Sequence, residues 1–148
     1  MNPSIEDIVE LNQLSATYAV KLTQGDIHHV IEHLCTEDGT YSAFGDTYSL
    51  EDWPALVEAA PKGLFLCGEP SLQIDGDTGT GEVPLLFIDQ TNHHMRMGWY
   101  RDTYRRTERG WRLATRTMTF LRRSGAADSG KAHDPRRPTP TATSPGKS

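Results

Sequence analysis

Cysteine is scarce in this sequence: Cys35 and Cys67 are the only 2 among 148 residues. They stand too far apart for a disulfide framework or a zinc ribbon, so free thiols are expected. Long apolar runs are missing too, since no stretch approaches the roughly 20 apolar residues that a bilayer demands. Residues 1–7 lack the basic flank and apolar stretch of a secretory signal, which predicts a cytoplasmic protein with no membrane partner. A basic excess is absent as well. The 15 Lys and Arg face 20 Asp and Glu, a net charge of -5. The last 25 residues hold Lys131, Arg136, Arg137 and Lys147 against Asp128 and Asp134, a local +2 that leaves -7 on the remainder. Phosphate binding draws on clustered basic surface, so no nucleic-acid partner is expected. The run Arg101, Arg105, Arg106, Arg109 and Arg112 reads as a solvated strand and turn.

What the chain does contain, 36% apolar residues with 3 Trp, 5 Tyr and 4 Phe, is enough for one hydrophobic core. That composition stops at Ser124. From there on no Leu, Ile, Val, Met or aromatic residue occurs, and 4 of the 9 prolines do. Such a segment buries too little apolar surface to offset ordering entropy. The expected organisation is one domain over residues 1–123 and a disordered Pro/Ser/Thr-rich tail over 124–148.

Ser4 followed three residues on by Asp7 marks a helix start, and Ile5, Ile8, Leu11, Leu14, Tyr18 and Leu22 recur at helical spacing. Gly25 ends that helix and Asp26 caps a second, with Ile27, Val30, Ile31 and Leu34 as its buried stripe. Thr40 to Phe44 reads as a strand and Leu50 to Ala60 as a third helix, with Pro54 tolerable only in its first turn. From Leu64 the pattern is strands: LFLC, SLQI, an Asp75-Gly76-Asp77 turn, a run to Asp89, another from His94 to Thr107, and Trp111 to Leu121 after a Glu108-Arg109-Gly110 turn. Helices ahead of a long antiparallel meander make an α+β fold in which about three helices cover a curled, cone-shaped sheet. Pro84 suggests a bulge or edge, and Gly79, Gly81 and Gly98 are places where a strand can bend.

Three segments taken together, Tyr18-Ala19 before Gly25-Asp26, Ile74-Asp75-Gly76-Asp77, and Gly98-Trp99-Tyr100-Arg101-Asp102 leading to Gly110-Trp111-Arg112-Leu113 and Arg116, resemble the SnoaL-like branch of the nuclear transport factor 2-like superfamily. The likeness spans about residues 4–123. It implies a cone-shaped pocket between sheet and helices, often in a dimer, used by different members for dehydration, isomerisation, epoxide hydrolysis, polyketide cyclisation or plain binding. In dehydratase-like members the first helix carries a Tyr and, five residues later, an Asp; the first long strand carries His-x-x-x-Asn, and an Arg follows the Gly-Trp-Arg segment. Tyr18 and Arg116 keep two of these positions. Thr23, Cys67 and Ser71 stand at the Asp, His and Asn positions, so that acid–base pair is missing, and Thr cannot replace a carboxylate in that role.

His29-Val30-Ile31-Glu32-His33 matches a helical metal motif, but the buried stripe between the histidines turns them to solvent, and no metal is expected. Alternation from His94 places His94, Arg96, Gly98, Tyr100, Asp102 and Tyr104 on one face, either a solvated row or a pocket wall. Met95, Met97 and Trp99 on the other face, with Met118 and Phe120 on the next strand, suggest a homodimer through the sheet. Asp89, ending an apolar strand, is a candidate replacement base or a plain turn former. The candidates for chemistry are Tyr18, Asp89, His94, Asp102 and Arg116, with Thr23, Cys67, Arg96 and Tyr100 as ligand contacts. The expected function is binding of a small, largely apolar, steroid- or polyketide-like molecule. Cofactor-free lyase, isomerase or hydrolase chemistry is an open addition, and the alternative is a non-catalytic binding or dimeric interaction module.

Overall fold

The computed structural model describes residues 3–122, 124–128 and 137–141. Helix α1 (Ile5–Thr23) starts where Ser4 Oγ accepts the Asp7 backbone N–H at 3.1 Å, and it buries Leu11, Leu14, Tyr18 and Leu22. Gly25, at φ 77°, makes the left-handed turn that a residue with a Cβ enters only under strain. Asp26 then caps α2 (Ile27–His33) by accepting the His29 N–H. Strands β1 (Cys35–Ala43) and β2 (Asp46–Ser49) form a hairpin, and α3 (Trp53–Ala59) follows with Pro54 in its first turn. The rest is β3 (Gly63–Cys67), β4 (Ser71–Asp75), β5 (Thr78–Asp89), β6 (Met95–Thr107), β7 (Gly110–Leu121) and the short β8 (Ala127–Asp128). Among the described residues no helix is long and apolar enough to cross a membrane.

The strands form one sheet in the order β2-β1-β7-β6-β5-β3, with β4 beside β5 and β8 beside β7. All pairings are antiparallel except β1 with β7, which is parallel, so the expected antiparallel meander of the second half takes β1 onto its edge and the whole sheet is mixed. The helical hairpin carries the chain across to the free edge of the meander, where the Leu113 N–H donates to Leu34 O at 2.7 Å as β1 begins. Pro84 sits where the β3 and β4 pairings to β5 break off, between Leu85 paired with Cys67 and Glu82 paired with Ser71. Its missing N–H therefore falls at a gap in the ladder.

Side chains directly opposite in register share a face. Gly98 opposes Phe120, Tyr100 opposes Met118 and Asp102 opposes Arg116, and all six are buried on the concave side. The polar row of β6 is thus interior. Met118 and Phe120, expected outside beside Met95, face inward instead, because β7 alternates in step with Tyr100 and Asp102.

Asp7 anchors α1 to the meander. Its Oδ1 accepts from Arg106 Nη1 at 2.8 Å and Trp111 Nε1 at 2.9 Å, and its Oδ2 accepts from Arg106 Nη2 at 3.0 Å. Arg106 also donates to Asp77 and lies 4.6 Å from the centre of the Trp111 ring. Arg106, expected to be simply solvated, is a clasp between three elements, and Arg112 of the same run is buried. The hydrogen bonds from Arg106 and then Trp111 hold the Asp7 carboxyl well below the usual carboxylate range. A carboxyl with a lower pKa folded than unfolded stabilises fully above its unfolded value, about pH 4, and loses that contribution as pH falls toward its folded value. Asp7→Asn should therefore be less stable than wild type by a constant margin between about pH 7 and 5, narrowing below about pH 4. Urea midpoints at successive pH values measure that margin.

Beyond residue 122, β8 pairs with the end of β7, and Arg122 bonds Asp128. Arg137 forms an ion pair with Asp46 at 2.9 Å, lies 5.0 Å over the Phe44 ring and donates to Tyr48 Oη. Thr141 bonds Asp52 through its N–H at 3.0 Å and its hydroxyl at 2.6 Å. These contacts of the described tail residues are mostly polar or main-chain. A missing set of apolar side chains does not register them. The remainder of the tail, 129–136 and 142–148, lies outside the described residues.

Candidate functional site

A cavity of about 390 Å³ opens between the concave face of the sheet and helices α1 and α3. Aromatic pairs build its wall. Tyr41 stacks on Trp53 with centroids 4.9 Å apart and planes 7° from parallel, and Phe44 stacks on Phe120 at 5.3 Å. Phe65 tilts against Phe87 at 4.9 Å, while Tyr18 and Tyr100 meet edge to face at 5.6 Å. Each follows from the secondary structure: Tyr18 projects from the buried stripe of α1, Trp53 opens α3, and Phe87, Tyr100 and Phe120 alternate inward on three neighbouring strands. Burial pushes the hydroxyls of Tyr18, Tyr41 and Tyr100 above the ordinary tyrosine range. All three are therefore protonated at neutral pH and can donate.

Arg116 lies behind the Tyr18 and Tyr100 rings, its guanidinium carbon 4.2 and 4.0 Å from their centres. Arg116 Nε donates to Asp102 Oδ1 at 2.7 Å and Nη2 donates to Oδ2 at 2.6 Å, and both side chains are fully buried. Tyr104 Oη donates to the same carboxylate. Burial opposes a charge on Arg116, yet the Asp102 carboxylate and its hydrogen bonds hold that guanidinium well above its usual range. Arg116 Nη1 is buried with no hydrogen-bond partner among the described residues. Burial also pushes the Cys67 thiol up, and the Cys35 thiol up to about 12. Neither is a ready nucleophile.

The nine candidates from the sequence therefore fall into three groups. Tyr18, Thr23, Arg96 and Tyr100 line the cavity. Asp102, Arg116 and Cys67 lie in the layer behind it and do not. Asp89 and His94 border a separate, shallower depression that Arg96 also touches. There Asp89 Oδ1 accepts the Thr91 N–H at 2.8 Å, the contact of a turn former, and His94 is exposed. Thr23 is partly committed as well, since its Oγ1 accepts the Phe65 N–H at 2.9 Å and ties the end of α1 to β3. His29 and His33 stand 4.6 Å apart on α2, and no group of three or more His, Cys, Asp or Glu among the described residues could hold a metal ion.

Sequence reasoning missed Tyr41, Trp53 and the four cavity phenylalanines. Phe87 carried a signal, since it alternates with Leu85 and Val83 along a strand whose partner bears the polar row. Trp53 carried none, because an aromatic residue opening a short helix reads as ordinary core.

A curled mixed sheet wrapped over a helical hairpin, with an aromatic cavity between them, is the α+β cone of the nuclear transport factor 2-like proteins. Solved structures with this cone include an NTF2-like protein with a cystatin-like fold from Novosphingobium aromaticivorans, with a TM-score of 0.71 and 24% identity over 82% of this chain and 87% of that one. A cystatin-like-fold protein from Nostoc punctiforme gives a TM-score of 0.71 at 18% identity, over 81% and 95% of the two chains. The chain belongs to the SnoaL-like domain family, whose model matches residues 3–117. Rv2910c of Mycobacterium tuberculosis is 28% identical over 127 residues, covering 78% of this chain and 86% of that protein.

Proposed function

We propose that the cavity takes up a small, largely apolar, ring-bearing molecule of steroid or polyketide type, and that binding rather than acid–base turnover is its primary task. The observation that carries this reading is the make-up of the wall: eight of its residues are aromatic, and no carboxylate or imidazole lines it among the described residues. A cavity of this size and character falls within the range of small-molecule sites. General acid–base chemistry needs a group that titrates near working pH, whereas the tyrosines here stay protonated. Their hydroxyls suit the orientation of a carbonyl or hydroxyl oxygen. Asp102 spends both oxygens on Arg116 and Tyr104, and so has no part in this reading as a base.

The convex face supports a homodimer in the same reading. Leu64 and Leu66 on β3 and Met95 and Met97 on β6 are between 43% and 63% exposed. Ile88 and Leu86 of β5 lie between them in register, joining them into one apolar patch. Contiguous patches of this kind mark association surfaces. One measurement addresses both claims. Native mass spectrometry of the full chain purified from its own host is expected to give twice the mass of the chain and a retained small molecule. A ligand-free monomer would count against both.

A further inference from the structure

Phe44 stands in a turn that does not suit it. It and Gly45 are the two central residues between Ala43 and Asp46, which pair across the β1–β2 hairpin, and both have positive φ, 59° and 81°. A two-residue turn of this kind favours Asn or Gly in the first place, and a phenylalanine there is under backbone strain. The strained turn sets its ring in the cavity wall, stacked on Phe120. The Arg137 guanidinium grips this same turn. Its Nη2 donates to the Phe44 carbonyl at 3.3 Å and pairs with Asp46 Oδ2 at 2.9 Å, its Nη1 donates to Tyr48 Oη, and its carbon lies 5.0 Å from the centre of the Phe44 ring. Tyr48 Oη donates on to Pro138 O at 2.8 Å, and Thr141 donates twice to Asp52, the residue before α3. Residues 137–141 thereby tie the hairpin turn to the start of α3, whose Trp53, Leu56 and Val57 line the same cavity. Pro138 and Pro140 each fix one φ and hold the residue before them out of the helical region, so the segment loses little freedom when it docks.

We infer that residues 137–141 are a latch on the cavity, and that Phe44 is the leaf it holds shut. The inference rests on the reading of the cavity as a ligand site. With Arg137 docked, its bonds to the Phe44 carbonyl, Asp46 and Tyr48 keep the strained turn in place. With Arg137 undocked, the turn loses those bonds and relaxes, Phe44 parts from Phe120, and ligand passes between the two rings. The latch acts on the rate of exchange more than on the fold. Thr40, Tyr41 and Ser42 keep their pairing to β7, and the Phe44 turn lies just beyond it.

The test is the release of N-phenylnaphthylamine, a neutral apolar fluorophore, from the full chain by stopped-flow dilution, with amide exchange of the same proteins followed by mass spectrometry. Arg137→Ala should release the fluorophore about 10-fold faster, the lower end of the range for a hydrogen bond to a charged group. Amides of residues 44–48 should exchange faster in that variant, while those of α1, β5 and β6 keep their wild-type rates, which shows that it is folded. Phe44→Gly relieves the strain and removes the leaf, so it should release the fluorophore fast by itself, and adding Arg137→Ala should change the rate no further. A wild-type release rate in Arg137→Ala, or the same acceleration by Arg137→Ala with and without Phe44, overturns the latch and leaves the ligand-site reading standing. No saturable fluorescence enhancement with wild type overturns the ligand-site reading and the inference with it.

Discussion

Asp102→Ala is expected to destabilise the protein by about 3–5 kcal/mol, because it strands the guanidinium of Arg116 without its anion in a layer that water does not reach. Two bonds to that guanidinium and one from Tyr104 are lost together. The two flanking tyrosine rings remain, but their quadrupoles cannot replace a full charge. Replacing both partners at once, Asp102→Leu with Arg116→Met, removes the stranded charge and should recover most of the loss, since apolar side chains of similar volume often substitute for a buried pair without net cost. Urea unfolding of the single and double variants separates the two cases. A single variant within about 1 kcal/mol of wild type would show that the pair is solvated in solution.

Gly98→Ala should produce the second large effect. A Cβ at Gly98 would stand 1.9 Å from the carbonyl oxygen of Thr119 and 2.9 Å from Met118 Cε. The methionine tip can swing aside, but the carbonyl is part of the β6–β7 ladder, so the strands must separate. Overpacking of this kind costs about 1–3 kcal/mol, and more where backbone rather than side chain has to move. The thermal midpoint should fall accordingly. Gly25→Ala, a change at a surface turn with nothing within 4 Å, isolates the conformational cost alone and serves as the comparison.

How far the sequence reveals this protein depends on the range over which each feature is encoded. The first helix is written locally: Ser4 caps it, apolar residues recur along one side, and Gly25 closes it at a positive φ. The meander is nearly as local, with turns at Asp75-Gly76-Asp77 and Glu108-Arg109-Gly110 between strands of plain alternation. The alternation of β6 also put Arg96, Tyr100 and Asp102 together on one face. Which face lies inside was not legible, because a row of Arg, Tyr and Asp has the composition of a wetted surface, and it becomes interior only once Arg116 arrives from the neighbouring strand. Asp102 and Arg116 were both singled out, but as separate candidates for chemistry, since no spacing rule announces an ion pair between strands. The aromatic wall was largely hidden for a related reason. Tyr41, Trp53, Phe65 and Phe120 come from four elements and converge only in space.

The parallel pairing of β1 with β7 bears on the order in which this protein takes shape as it is made. Thr40 finds its partner in Thr115 and Tyr41 in Arg116. The helical hairpin and β1 leave the ribosome first, yet the strand they must join is among the last parts of the domain to be synthesised. Contacts of such long sequence separation form late, after the local hairpins have set. Until then Leu11, Leu14, Tyr18 and Leu22 have no sheet to cover, and the edge of β1 lies open. The nascent amino-terminal half is thus the stage of biogenesis most exposed to chaperones and to aggregation.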